Sequence, residues 1–293
     1  MNKYENNIWK WTLPTSVLGT AACILLWPIY GPAAPNCQNT STGQVPLYQN
    51  SVGHVQANTI PSNAVIAGFG MSNARREYSV FSDILNNAIG GGTVDNLANS
   101  NWHKWPRIMQ GAGNPNQVTD ALLKVAIGGK SNWSQTAYVD YVINSTYGAM
   151  AEIRRRFPNV QRFHLWSRIY GEYADDWNQG KSSEPQAYWT GLAVQTVVAQ
   201  DPNAYHGPYL WADGLNARSD GLTWVCSDFD NDGLHPDLQG MQKVRDWGLI
   251  PWLEKAQGGQ SSPPPDDPQQ CPNGKVWTCK IWRGEEVCKC KRT

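Results

Sequence analysis

Three side chains in this sequence are of the types that together attack a carbonyl. Asp232 and His235 lie three residues apart in DFDNDGLHPD (residues 228–237), with Pro236 directly after. A carboxylate that holds one nitrogen of an imidazole leaves the other free to take a proton, which is two-thirds of a hydrolytic triad. The missing part is a nucleophile. Ser72, in GFGMSNA, is the candidate, because it follows a short apolar run and opens a helical pattern. A serine there stands beside helix N-terminal amides that can stabilise developing negative charge. The same position suits an ordinary helix cap, since serine is among the commonest N-cap residues. On this stretch alone both readings stand.

These residues are far apart in the chain, so the elements between them must bring them together. Residues 64–67 read as a short buried strand, and a helical pattern runs from 72 through Tyr78, Phe81, Ile84 and Leu85. Residues 118–127 and 161–166 read as further strands. Helices are predicted over 138–157, with a basic end at 154–156 that suits the dipole and Pro158 as a stop, and over 187–200. Pro236 fits a first helical turn, and Leu238, Met241 and Val244 continue it at helical spacing. Strands alternating with helices imply a parallel sheet covered on both faces, with ligand sites at the C-terminal strand ends. Ser72, the glycines at 90–92, the turn after Ile127 and Ser167-Arg168 all fall at such ends. The Gly90–Gly91–Gly92 triplet lets a backbone approach closely, or is a flexible loop. It is no phosphate loop, because neither GKS/GKT nor a GxGxxG leading a helix is present.

Taken in order, GMSNA, IGGGT and DGLHP resemble the blocks of the SGNH/GDSL hydrolases over roughly residues 60–255, and SRIYGEY (167–173) and GPYLWADGLNARSDGLTWVCSDF (207–229) are similar to a bacterial secreted subset of that family. The resemblance implies a three-layer α/β/α fold with a central parallel, flavodoxin-like sheet, and a serine esterase that acts on a carboxylic ester without a cofactor. It implies Ser72 as nucleophile, His235 as general base and Asp232 as its orienting acid, with the amides of Ser72 and Gly91 as oxyanion donors. Such donors contribute on the order of 10²–10³ in rate each. Gly90 and Arg168 are candidates for substrate contacts, although Arg168 is equally a candidate for a structural ion pair. The family's third block carries a further Asn donor. Here KVAIGGKSN offers Asn132 with its register off by at least one residue, and a missing donor would cost about 3 kcal/mol of transition-state stabilisation. Two functions therefore compete: an esterase acting on a small-molecule or glycan ester, such as an acylated carbohydrate, and a catalytically impaired relative that binds carbohydrate or a surface.

The remaining features bound the setting. Net charge is zero, so no electrostatic case exists for nucleic acid as a partner. Fifteen Trp suit stacking on sugars or filling a core. Residues 1–34 read as a secretory signal peptide, with an uncleaved anchor as the rival that would bring in a membrane. A lipoprotein reading at Cys23 is weak, because apolar residues continue past it. Residues 35–60 form an irregular segment, 61–256 the main domain, 257–270 a Pro/Ser/Gln linker, and 271–293 a Cys-rich hairpin turning at Arg283-Gly284. Of seven Cys, four crowd that hairpin at 271, 279, 288 and 290, which favours disulfides over a zinc site and an extracytoplasmic location. That leaves Cys37 and Cys226 to pair. Asp228, Asp230, Asp232 and Gly233 match positions 1, 3, 5 and 6 of a calcium loop, but position 12 is Gln239 and the metal reading is set aside. His54, His103, His164 and His206 read as packing residues, and the sequons at Asn39, Asn132 and Asn144 add little.

Overall fold

The computed structural model describes residues 37–128, 132–173, 183–259, 276–282 and 285–291. The expected signal segment, nearly all of the linker, Cys23, Cys271 and the turn at 283–284 lie outside the described residues.

Five strands make one parallel sheet: β1 (Ile66–Phe69), β2 (Leu85–Asn86), β3 (Asp120–Lys124), β4 (Arg162–Trp166) and β5 (Ala204–His206), in the order β2-β1-β3-β4-β5. Side chains alternate across a strand, and here both faces are apolar. Ile66, Leu122 and Trp166 enter a core shared with α1 (Ser72–Ser79) and with the C-terminal helical run formed by α6 (Leu238–Lys243), a π-helical stretch (Val244–Leu249) and α7 (Ile250–Ala256). Ala67, Phe69, Ala121, Leu123, Phe163 and Leu165 enter the other core, under α2 (Val94–Ala98), α3 (Trp105–Gly111), α4 (Gln135–Arg156) and α5 (Gln186–Gln200). The three-layer α/β/α arrangement expected from the alternation is therefore present. A sheet covered on both sides explains why its strands read as near-continuous apolar runs.

The order matters for the site. The chain passes from β1 to β2 on one side and then crosses to β3 on the other. The strand order thus reverses beside β1, and at such a switch point the loops part at the C-terminal strand ends and leave a crevice.

Local patterns mislead in two places. The helical pattern predicted through Leu85 stops at Ser79, and Leu85 and Asn86 instead pair with Ala67 and Gly68 as the edge strand β2. Phe81 and Ile84 are still buried, but a turn carries them to the core, because strand pairing wins over a short apolar period. Leu238 is 59% exposed while Val244 is fully buried. Asp237 caps α6 by accepting from the Gly240 N–H, so Leu238 opens the first turn and faces solvent.

Cys37 and Cys226 form a disulfide that ties the irregular N-terminal segment to a residue 189 positions later, as expected. Strands β6 (Val276–Trp282) and β7 (Glu285–Lys291) pair antiparallel, with Trp282 opposite Glu285 on either side of the expected turn.

Candidate active site

The turn out of β1 is built by Gly70. Its φ of +150° is one that L side chains rarely adopt, and a Cβ there would meet Ala74 and Lys124 at 2.7 and 3.1 Å. Only glycine lets the chain turn this tightly. Ser72 follows as the first residue of α1, with Met71 as the N-cap residue, so Ser72 does not cap the helix.

The Ser72 Oγ lies 2.6 Å from His235 Nε2, and His235 Nδ1 lies 2.6 Å from Asp232 Oδ2. An ionised carboxylate can only accept, so Nδ1 carries the ring proton and Nε2 is left to accept from the serine hydroxyl. The other Asp232 oxygen accepts the backbone N–H groups of Leu234 and His235, both at 2.9 Å. Burial alone would raise the Asp232 carboxyl. The bonds from the His235 backbone and ring and from the Leu234 N–H outweigh it and hold the group below the usual carboxylate range. Asp232 is therefore ionised in the folded chain at neutral pH.

The loop carrying Asp232 and His235 closes on itself. Asp230 N–H donates to the His235 carbonyl, Gly233 N–H to the Asp230 carbonyl, and Asp237 N–H to the Asp228 carbonyl. Gly233, at φ +59°, supplies the left-handed residue this turn needs. Helix α1 then holds the loop in place. Asn73 Nδ2 donates to the Leu234 carbonyl at 2.8 Å, while Arg76 pairs with Asp230 and donates to the Pro236 carbonyl at 3.3 Å. Asn73 and Arg76 are three apart, hence on one helix face. The helix that begins at Ser72 also holds the loop that carries His235.

The three local aspartates face three different partners. Asp228 is buried against Lys243 at 2.6 Å and accepts the Val225 N–H at 2.8 Å; Asp230 meets Arg76, and Asp232 meets His235. They do not converge as calcium ligands would. Among the described residues no group of three or more metal-binding side chains occurs.

Gly92 packs directly on the carbonyl of Gly70, which also accepts the Ile89 N–H at 3.0 Å. The close backbone approach read from the glycine triplet is thus toward the turn that carries Ser72. Gly91 sits at φ +75°, its carbonyl held by Asn96 Nδ2 at 2.8 Å, and the Gly90 carbonyl accepts from Lys104 Nζ at 2.7 Å. Among the described residues neither the Ser72 nor the Gly91 N–H has a protein acceptor. Asn132 is exposed, just past residues 129–131, which lie outside the described set. It is not among the hydrogen-bond partners of Ser72, His235 or Asp232.

Beneath the site lies a pair that spacing did not reveal. Lys124, at the end of β3, donates both to Glu77 Oε1 and, at 2.6 Å, to Glu77 Oε2 on α1, and both side chains are fully buried. The Lys124 ammonium also stands 4.4 Å over the Trp166 ring. Burial pulls the Lys124 ammonium downward, Glu77 opposes this, and the Arg168 cation pushes the same way as burial. A lysine inside the apolar run DALLKVAI was the available signal, since a buried cation needs a buried acid. Arg168 itself is buried past β4 and lines a cavity with Met71, Asn73, Lys124, Ile169, Tyr170 and Leu234. The remaining histidines pack: His164 is buried on Asp120, His54 and His206 join a ring cluster with Tyr48 and Tyr209, and His103 lies edge-on to Trp102.

No known protein family matches the chain, and no curated protein matches it. Among solved structures it is similar to a protein of Bacteroides fragilis assigned as an acylhydrolase (10% identity, TM-score 0.39, covering 67% of this chain and 88% of that one). It is also similar to a carbohydrate esterase family 3 protein from Talaromyces cellulolyticus (14%, 0.35, covering 62% and 91%). A third is an acetyl-xylooligosaccharide esterase from a Geobacillus species (12%, 0.36, covering 64% and 92%). Likenesses this distant carry no argument for the chemistry, which stands on the geometry of the site.

Proposed function

We propose that this chain is a serine esterase of the SGNH/GDSL type, exported from the cytoplasm, which hydrolyses a carboxylic ester through an acyl-enzyme. The observation that carries the reading is the unbroken chain Ser72 Oγ–His235 Nε2, His235 Nδ1–Asp232 Oδ2, with both distances 2.6 Å, assembled from residues 163 apart in sequence. In this mechanism His235 takes the Ser72 proton as Oγ attacks the ester carbonyl. The tetrahedral oxyanion is met by the Ser72 and Gly91 amides, aided by the N-terminal end of α1. Collapse breaks the bond to the alcohol, and His235 returns its proton to that leaving oxygen. Water then repeats the sequence on the acyl-enzyme, with Asp232 holding the imidazolium throughout.

An acylated carbohydrate is the substrate class we carry forward. It is supported by a partly exposed aromatic pair, Trp133 and Tyr141, edge to face with centroids 5.0 Å apart. The Tyr141 hydroxyl reaches Asp95 on α2 at 3.4 Å, one residue from the Asn96 that holds Gly91. The Cys37–Cys226 disulfide supports an oxidising compartment. Among the described residues no helix is long and apolar enough to cross a membrane.

The test is labelling by an organophosphonate together with hydrolysis of acetylated sugars and short p-nitrophenyl esters. Wild type should be labelled at Ser72, and Ser72→Ala and His235→Ala should each lose on the order of 10³-fold or more in kcat. Wild-type hydrolysis no faster than that of the two variants would overturn the esterase reading.

A further inference from the structure

The cavity beside the nucleophile has a charge that the Ser–His–Asp chain does not use. Its walls include Met71 and Asn73, which flank Ser72, and Leu234, which precedes His235. Lys124 and Arg168 also line it, 1% and 7% exposed. Glu77 answers one of these cations through its bond to Lys124. Among the described residues no carboxylate reaches Arg168 as an ion pair, and its charge acts on the nearby Tyr138 phenol. The other acid that acts on it is Glu184, whose oxygens already accept the Gly171 N–H, the Tyr188 N–H and Trp211 Nε1–H. Burial pushes that carboxyl up to about 7, so it is only partly ionised at neutral pH.

A buried guanidinium without its own carboxylate is costly. It persists most readily where an anion visits it, and a planar fork of N–H groups fits a carboxylate on two points. The cavity opens to solvent and, at about 10 Å³, has room for one oxygen-sized atom. That suits one oxygen of a carboxylate entering from the substrate side.

We propose that Arg168 is the specificity residue of this site and that the preferred substrate is an ester bearing a carboxylate close to the scissile bond. This rests on the esterase reading above. The carboxylate can belong to the acyl chain, as in a dicarboxylic half-ester, or to the alcohol, as in an acylated uronic acid, and the two sources are separated by experiment.

Two matched substrate pairs serve as arms. One is the p-nitrophenyl ester of succinic acid with its far carboxyl free or methylated; the other is O-acetyl glucuronic acid against O-acetyl glucose. In one arm the charged member should be favoured about ten- to a hundredfold in kcat/KM, the range expected of a charge-assisted two-point contact. Arg168→Gln should collapse that ratio to near one, Arg168→Lys should keep part of it, and 0.5 M salt should shrink it in wild type. The ratio is the readout because a merely destabilising variant lowers both members alike. Equal hydrolysis of charged and neutral members in both arms, or a ratio preserved in Arg168→Gln, would overturn the proposal. Calorimetric titration of Ser72→Ala protein with succinate and with dimethyl succinate decides the anion site separately. If no ester is turned over but succinate binds tighter and does so through Arg168, the esterase reading fails and the anion site stands. If succinate binds no tighter than its diester, the anion site fails.

Discussion

Replacing Asp232 by Asn changes one proton acceptor into a donor and little else. Asp232 Oδ1 accepts the N–H groups of Leu234 and His235 at 2.9 Å, and an Asn carbonyl oxygen can keep both. The Oδ2 position, 2.6 Å from His235 Nδ1, becomes an amide NH₂. Two donors then face each other, so the ring must carry its proton on Nε2, the atom 2.6 Å from Ser72 Oγ. An Nε2–H cannot accept the serine proton. The expected loss in kcat is on the order of 10⁴-fold, about 5 kcal/mol of transition-state stabilisation. The expected loss of folding stability is only about 1 kcal/mol, because the loop keeps its backbone acceptor. Asp232→Ala should lose as much activity and more stability, up to about 1 kcal/mol for each N–H left without its partner, lessened by water at a side chain that is 26% exposed. Steady-state p-nitrophenyl ester hydrolysis, phosphonate labelling rates and urea titrations of the three proteins measure this. An Asp232→Asn enzyme within tenfold of wild-type kcat would refute the reasoning, since the tautomer argument allows no such survivor.

Two further outcomes follow from buried charges. Lys124→Met leaves the fully buried Glu77 carboxylate without its cation and should cost about 3–5 kcal/mol by urea denaturation, whereas the double variant Lys124→Met/Glu77→Leu should lie within about 2 kcal/mol of wild type; a double variant as unstable as the sum of the singles would contradict this. Burial would raise the Asp120 carboxyl, but bonds from His164, Arg162 and Thr119 prevail and bring it down to about 2. A depressed folded-state value contributes stability that is present above the unfolded carboxylate range near 4 and is lost as pH falls through about 2. The stability gap between wild type and Asp120→Asn should therefore narrow by roughly 2 kcal/mol between pH 5 and pH 2, and a gap that does not change with pH would count against it.

The sequence by itself pointed to a candidate Asp–His pair and a candidate serine partner. An Asp and a His three apart before a helix-starting Pro, and a Ser at the end of an apolar run, are local patterns, and local backbone geometry makes them legible. The alternation of strand and helix likewise determined a parallel sheet covered on both faces, because apolar runs of strand length have few other places to go. What it could not determine is anything decided by pairing across distance. Leu85 carries a helical period yet lies on an edge strand, since β1 offered it backbone partners. Arg76, Glu77 and Lys124 carry no motif, and their roles, like the loop-holding role of Asn73, exist only once α1 packs between the His235 loop and β3. The glycine triplet read equally as close approach or slack loop until Gly92 met the Gly70 carbonyl. The switch in strand order beside β1 set the Ser72 turn, the glycine loop and the His235 loop around one crevice, and that placement belongs to the tertiary structure, because a sequence records which residues are neighbours along the chain and folding decides which become neighbours across it.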